Sequence, residues 1–436
     1  MASRPMIKCH ALLRQYSFRN GARRYRIKDN EMQRYEVIFG ENKEFEELLI
    51  SVFLWDKFYP SERKISFGTQ QYNAFEDVRG DIEQLIAFLT NRKISIRFVP
   101  VQRNFSQQQR IFSGKLGRIG RGKPCLFSGG LDSTTGTLVL TKEGSSPTLS
   151  HTATGNIILG KARKLREHPT LRSLPMIVTD MRSDRAADAP VMTRGLLFLS
   201  NALILASSMG HDQIYFPENG PLMINPRVSF LSEPTKNAHP YLIRTLEKIY
   251  NHVTQSKVRI NPIFKDETKA EVIAKILNDD IIDRTWSCFR VQGQSKMCGL
   301  CFACLVRRLS ALAVGYQEPA KTYQHDLFLV EREELGYSMK FDLDILYDAF
   351  LYLQNLLRDD NLLEKDMFLV PEDFFVDALG MMRNFALDMF LGVHHYKKNS
   401  RAPRLGSLGN FVFKIIKDIP LSSLEEREDE LESVEI

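Results

Sequence analysis

The apolar run Pro124-Cys125-Leu126-Phe127 passes through Ser128-Gly129-Gly130 straight into Leu131-Asp132-Ser133-Thr134-Thr135, and this stretch constrains the chain most. It reads as a buried strand, a tight turn and a helix start. Two glycines let the backbone turn sharply and present bare N–H groups, and the helix N-terminus adds the positive end of its dipole, a combination suited to pyrophosphate. Ser128 and Ser133 can add hydroxyl donors. Asp132 beside phosphates would repel them unless it holds Mg²⁺ or orients the loop. The plain alternative is an ordinary strand-to-helix turn with Asp132 or Ser133 as N-cap. No Lys-Ser/Thr pair follows, so the loop differs from that of γ-phosphate-transferring NTPases.

From Pro124 to about Tyr316, short apolar runs alternate with longer helical patterns, the signature of an α/β unit with a parallel sheet. Strands are expected at Pro124–Phe127, Thr148–Thr152, Leu174–Thr179, Gln213–Phe216 and Val258–Ile263. Helices are expected after Asp132, around Ala162, over Thr193–Met209 and over Thr268–Leu277. Residues 1–118 form a mixed α+β extension, with helical spacing in Glu44–Phe58 and Phe75–Leu89 and a strand near Ile94–Val99. The Gly- and Arg-rich stretch Gly114–Lys123 reads as a linker into the central domain, 119–316. Residues 317–420 are helical, with Leu343, Leu346, Phe350, Leu353 and Leu357 on one face and a second helix after Pro371. An acidic tail, 421–436, is expected to be disordered.

With 436 residues, the chain suits two or three packed units. A net charge of +6 is modest for this length; it is compatible with anionic ligands and does not favour nucleic acid. The longest apolar stretch, Leu196–Ala206, is broken by Ser200 and Asn201 and reads as a buried helix, with no membrane span. Met1–Arg34 lacks an apolar signal core, so a cytoplasmic protein is expected.

Six cysteines occur, and four fall in Cys288, Cys298, Cys301 and Cys304. In a reducing compartment this spacing points to a metal, with Gly299 permitting a tight knuckle and Cys288 returning to complete a Cys₄ site. Zinc and an iron–sulfur cluster both suit four thiolates. Cys9 and Cys125 read as plain thiols, His151 as a satisfied polar residue, and His394 and His395 as surface residues.

Ser-Gly-Gly-Leu-Asp-Ser resembles the signature of the PP-loop ATP pyrophosphatases. With the downstream cysteines it resembles the QueC family, the 7-cyano-7-deazaguanine synthases, over Pro124–Arg308. The resemblance implies a Rossmann-like PP-loop domain with zinc that uses ATP and Mg²⁺ to turn 7-carboxy-7-deazaguanine into an amide and then a nitrile. Thr193-Arg194-Gly195 resembles the family's Arg-bearing helix start, Pro217-Glu218-Asn219-Gly220 its post-strand substrate loop, and Thr268-Lys269-Ala270-Glu271 its Lys-containing segment. Plain readings exist for each: Arg194 as an ion-pair partner, Lys269 and Glu271 as a solvated helix face, Glu218 as a turn cap.

The chain departs from the family in its long flanks, in Ala153-Thr154-Gly155-Asn156, and in lacking a Tyr-Pro-Asp-Cys-Arg element. The long form, with Thr154-Gly155-Asn156, Glu218-Asn219-Gly220 and Thr235-Lys236-Asn237-Ala238-His239-Pro240, is more similar to QueC-like proteins of antiphage systems, the QatC component of Qat among them. That branch implies adenylation of a deazaguanine carboxylate followed by conjugation to an amine of a partner protein. Ser128, Gly129, Gly130, Asp132 and Ser133 then bind triphosphate and Mg²⁺, Gly155 and Asn156 approach adenosine, and Arg194, Glu218 and Lys269 address the reacting groups. Free nitrile synthesis with ammonia, RNA thiolation and a nucleotide-bound scaffold are the alternatives.

Overall fold

A computed structural model describes residues 7–8, 24–28, 32–36, 44–45, 48–49, 52–53, 56, 64–101, 122–153, 156–180, 191–288, 290, 296–399 and 404–434. The strands are β1 (Ile7–Lys8), β2 (Arg24–Lys28), β3 (Met32–Glu36), β4 (Lys64–Thr69), β5 (Ser95–Pro100), β6 (Pro124–Leu126), β7 (Thr148–Ala153), β8 (Met176–Asp180), β9 (Gln213–Asn219) and β10 (Arg259–Phe264). The helices that matter below are α1 (Tyr72–Asp77), α2 (Arg79–Thr90), α3 (Leu131–Lys142), α4 (Asn156–Leu165), α5 (Arg194–Ser208), α6 (Pro240–Thr254) and α7 (Lys269–Ala274). They continue with α8 (Phe302–Ala313), α9 (Tyr337–Leu356), α10 (Ala378–Asn399), α11 (Ser407–Ile415) and α12 (Leu421–Glu432).

The main sheet runs β10-β9-β6-β7-β8-β2-β3. Its first five strands are parallel, as the alternating pattern predicts. Strand order reverses at β6, which has β7 on one side and β9 on the other, and in open α/β sheets ligands bind outside the carboxyl ends of strands at such a switch point. β7 is buried along its whole length although it carries Thr148, Ser150, His151 and Thr152. Helices remove it from water, and two of its polar side chains find partners: Asn201 of α5 donates to Thr152 Oγ1 at 3.0 Å, and His151 Nδ1 bonds Phe127 O at 2.7 Å. Leu196–Ala206 is a buried helix segment as expected.

The flanks differ from their sequence reading. Residues 1–118 are not a wholly separate unit, because β2 pairs antiparallel with β8 (Ile27 opposite Ile177) and β3 extends the sheet from there. A second, parallel sheet of order β1-β4-β5 stands beside it. Asp56, fully buried, accepts from Met192 N (2.7 Å), Thr193 N (2.8 Å) and Thr193 Oγ1 (3.0 Å), and pairs with Arg92. An N-terminal residue thereby fixes the start of α5.

At the other end, the expected disordered tail is corrected over most of its length: Leu421–Glu432 forms α12. Leu424, Arg427 and Leu431 share one helical face and are buried, which gives the segment an anchor that its acidic composition hides. His395 is likewise no surface residue. It is buried, with Nδ1 donating to Leu312 O at 2.7 Å, where α10 crosses α8 closely enough that a side-chain carbon on Gly392 would overlap Leu309 O. Gly114–Arg121 of the expected linker lies outside the described residues, as does Cys9. Among the described residues no helix is long and apolar enough to cross a membrane.

Candidate active site at the sheet switch point

Strand β6 is three residues of unbroken burial or near-burial between two covered faces, so it delivers Ser128 to the carboxyl edge with no freedom to slip. Gly129 then adopts φ +81, and a Cβ there would press on Ala162 Cα at 3.3 Å and Leu165 Cδ1 at 3.2 Å. Only glycine suits both the left-handed backbone and the contact with α4. Gly130 is the N-cap of α3 and has no side chain to satisfy the first turn, whose N–H groups therefore stay available to an anion.

The two serines hydrogen-bond within the loop. Their hydroxyls lie 3.1 Å apart; Ser128 Oγ accepts from Gly130 N at 3.1 Å, and Ser133 Oγ donates to Gly130 O at 3.0 Å. These bonds brace the loop, with Ser133 buried beneath it and Ser128 exposed at its surface.

Asp132, in the first turn of α3, is buried, and Lys269 Nζ lies 2.6 Å from each of its carboxylate oxygens. The reading of Lys269 as part of a solvated face is thus replaced: it is the first residue of α7, only 5% exposed. Thr268 caps α7 in a capping box with Glu271, accepting from Glu271 N at 3.3 Å while Glu271 accepts from Thr268 N at 2.6 Å.

Glu218 lies within β9, at its end, rather than in the loop that follows. Burial and the adjacent Asp132 carboxylate push its pKa well above the ordinary carboxylate range, with Lys269 acting the other way. Asn219, which the sequence pattern did not single out, joins the group: Nδ2 donates to Asp132 Oδ2 at 3.0 Å, while Oδ1 caps the next turn at Leu222 N. Its signal was available, since Asn before Gly-Pro is a good N-cap.

Asp132, Lys269, Glu218 and Asn219 thus form one cluster beside the glycine turn, drawn from α3, α7 and β9. Arg194 is not in contact with it. It opens α5 and makes no hydrogen bond or ion pair among the described residues; solvent reaches it, yet the surrounding protein is dense enough that desolvation lowers its pKa. A solvent-reached cation without a counter-ion among the described residues suits an anionic ligand. Gly155 lies outside the described residues, and Asn156 begins α4.

Lys161 is a further group that the sequence did not flag. Its Nζ has no hydrogen-bond partner, lies over the ring of Trp286, and burial lowers its pKa to about 8. His151 is satisfied only on one side: Nδ1 donates to Phe127 O at 2.7 Å, Nε2 has no partner, and burial holds the ring neutral. Cys125 is a buried thiol with its pKa pushed up to about 12.

The four cysteines converge. Their sulfurs all lie within 4.8 Å of one another, with 3.8 Å between Cys298 and Cys304, 4.0 Å between Cys288 and Cys301, and 3.4 Å between Cys301 and Cys304. Bonds of about 2.3 Å to a tetrahedral zinc set sulfurs about 3.8 Å apart, so the donor set fits one ion at its centre; a multi-iron cluster would need a wider cage. Gly299, at φ +83, makes the knuckle, and a Cβ there would strike His325 O. This centre braces the active site, because Trp286, two residues before Cys288, donates its backbone N–H to Gly129 O at 3.3 Å. Arg307, completely buried on α8, ties the same segment through Thr285 Oγ1, Ile282 O and Glu318.

Residues 163–314 match the family model described as "Queuosine biosynthesis protein QueC". The matched stretch holds Arg194, Glu218, Lys269 and all four cysteines, and begins after the glycine turn. A 7-cyano-7-deazaguanine synthase of Myxococcus xanthus is 26% identical over 227 residues, 45% of this chain and 95% of the relative. A synthase of the same name from Gloeothece citriformis is 28% identical over 134 residues, covering 29% of this chain and 53% of the relative. One from Cupriavidus necator is 27% identical over 151 residues, 33% of this chain and 63% of the relative. A parallel sheet with its switch point at a glycine turn, a Cys₄ centre behind it and these likenesses together make this a chain with a QueC-like domain.

Proposed function

We propose that the chain is an AMP-forming ligase that activates the carboxylate of a 7-deazaguanine with ATP and passes the acyl group to an amine. The observation that carries this reading is the buried Asp132–Lys269 pair beside a glycine turn at the switch point, in a chain similar to 7-cyano-7-deazaguanine synthases. Attack of the substrate carboxylate on the α-phosphorus forms an acyl adenylate and releases pyrophosphate. The N–H groups of Gly129 and the first turn of α3 receive the charge of that leaving group. Lys269 exchanges Asp132 for phosphate oxygens when triphosphate arrives. Asp132 is then the carboxylate that would hold Mg²⁺, which would supply charge neutralisation for the departing pyrophosphate.

Arg194 is assigned to the substrate's anionic group and Gly155 with Asn156 to adenosine. Attack by the amine forms the amide, expels AMP and frees a proton. Glu218 is the acceptor, since its raised pKa brings it nearer to that of the proton it takes. The zinc held by Cys288, Cys298, Cys301 and Cys304 is structural, with every ligand position filled by protein. In the finer reading the amine belongs to a partner protein, in a bacterial antiphage system of the Qat type.

Mass spectrometry of a reaction with ATP, Mg²⁺ and 7-carboxy-7-deazaguanine tests this, run once with the protein encoded beside it and once with ammonium. Pyrophosphate release with a mass gain on the partner supports conjugation. Free amide or nitrile formed with ammonium supports small-molecule synthesis. Intact ATP in both reactions overturns the ligase reading.

A further inference from the structure

Helix α12 lies beyond the stretch that matches the QueC model, yet its one buried cation reaches the base of the helix that carries Lys269. Arg427 is 3% exposed. Its Nε donates to Asp388 Oδ1 at 2.8 Å, Nη1 to Glu430 Oε2 at 2.7 Å, and Nη2 to Glu271 Oε1 at 2.8 Å and Thr268 Oγ1 at 3.4 Å. Thr268 and Glu271 are the two members of the α7 capping box, and Lys269 is the residue between them from which the Asp132 contact is made. One guanidinium thereby spans both ends of the cap.

The charges explain why a guanidinium is needed there. Glu271 and the completely buried Asp388 approach the same point from α7 and α10. Burial raises the Asp388 pKa to about 6 even with Arg427 beside it. Without the guanidinium, two carboxylates would face each other in a poorly solvated space, and the cheapest relief is for the α7 cap to move or open. The planar fork of arginine addresses Asp388, Glu430, Glu271 and Thr268 together in a rigid geometry, whereas an ammonium is a point charge with three rotatable donors.

We propose that Arg427 is a positioning residue for Lys269, through which the C-terminal helix sets the geometry of the ATP site. This rests on the ligase reading above, in which Lys269 meets the phosphates. It assigns the C-terminal extension a part in nucleotide binding, acting through the α7 cap and without touching the ligand.

Mg-ATP binding by calorimetry on the full chain tests it, with wild type, Lys269→Met, the pair Asp388→Leu with Arg427→Met, and the triple variant. Replacing both members of a buried ion pair by apolar residues commonly leaves a fold intact, and a thermal melt verifies that here. The expected result is that the Asp388/Arg427 double variant melts like wild type but binds ATP at least about fivefold more weakly, within the range for coupled neighbours. The same change made in the Lys269→Met background has no further effect, because the residue being positioned is gone. Arg427→Lys recovers only part of the affinity. Wild-type affinity in the folded double variant, or an equal loss with and without Lys269, overturns the proposal while the ligase reading stands. Absence of ATP binding by wild type overturns the ligase reading itself, and this proposal with it.

Discussion

Lys269 Nζ sits 2.6 Å from both carboxylate oxygens of Asp132, joining the first residue of α7 to the first turn of α3 across the mouth of the glycine turn. Both side chains are more than nine-tenths buried, so the pair is fixed by the packing of two helices rather than by flexible surface contact.

Breaking this pair from one side leaves a buried charge uncompensated. Lys269→Met is expected to destabilise the fold by about 3–5 kcal/mol and to abolish pyrophosphate release, read by chemical denaturation and a phosphate-coupled assay. Asp132→Asn, which keeps the shape and one acceptor oxygen, is expected to cost less stability and still lose turnover. Wild-type turnover in either variant removes the pair from the chemistry.

Gly129→Ala places a Cβ at a positive φ and against α4. The expected cost is about 1–2 kcal/mol from the backbone alone. ATP affinity should fall more steeply than stability, since the loop cannot keep both its turn and its N–H directions. Equal affinity for the variant and the wild type by calorimetry contradicts the loop assignment.

The four-cysteine set and the glycine turn are linked through Trp286. Elemental analysis is expected to find one zinc per chain. Chelation, or Cys288→Ser, should lower the melting temperature, shift the Trp286 emission and weaken ATP binding together. In a Trp55→Phe background Trp286 is the sole tryptophan, so its emission can be followed without interference. A chelated protein that binds ATP normally would separate the two sites.

Glu218 gives a pH signature. Its folded pKa lies above that of the unfolded chain, so between those values the folded state binds more protons, and stability falls as pH rises through that window. Glu218→Gln should flatten this slope in denaturation curves taken across pH. If Glu218 accepts the amine's proton, amide formation in the wild type rises with pH over the same window, and the variant loses that rise. An unchanged rate profile assigns proton transfer elsewhere.

Much of the central domain is legible in the order of its residues. The strands expected at Pro124, Thr148, Leu174, Gln213 and Val258 all lie within a few residues of β6 to β10, because buried parallel strands carry short apolar runs bounded by turns. The glycine turn and the cysteine set are legible for a related reason: each packs its chemistry into a few neighbouring residues, so local spacing records it. Lys161 escapes such a reading because a Lys in an ordinary helix carries no local mark of what faces it, and Asn219 is legible only as the N-cap before Gly-Pro, not as a partner of Asp132.

The sequence by itself determined the α/β unit, the glycine turn and the cysteines that converge on one point. Local backbone preference and hydrophobic period fix such features within a dozen residues. Only the tertiary structure decided that Asp132 meets Lys269, that Asp56 from the N-terminal region pins the start of Arg194's helix, and that Arg427, from an acidic end expected to be disordered, locks the Lys269 cap. Those pairings join residues far apart in the chain, and each satisfies a charge or a helix end that burial removes from water.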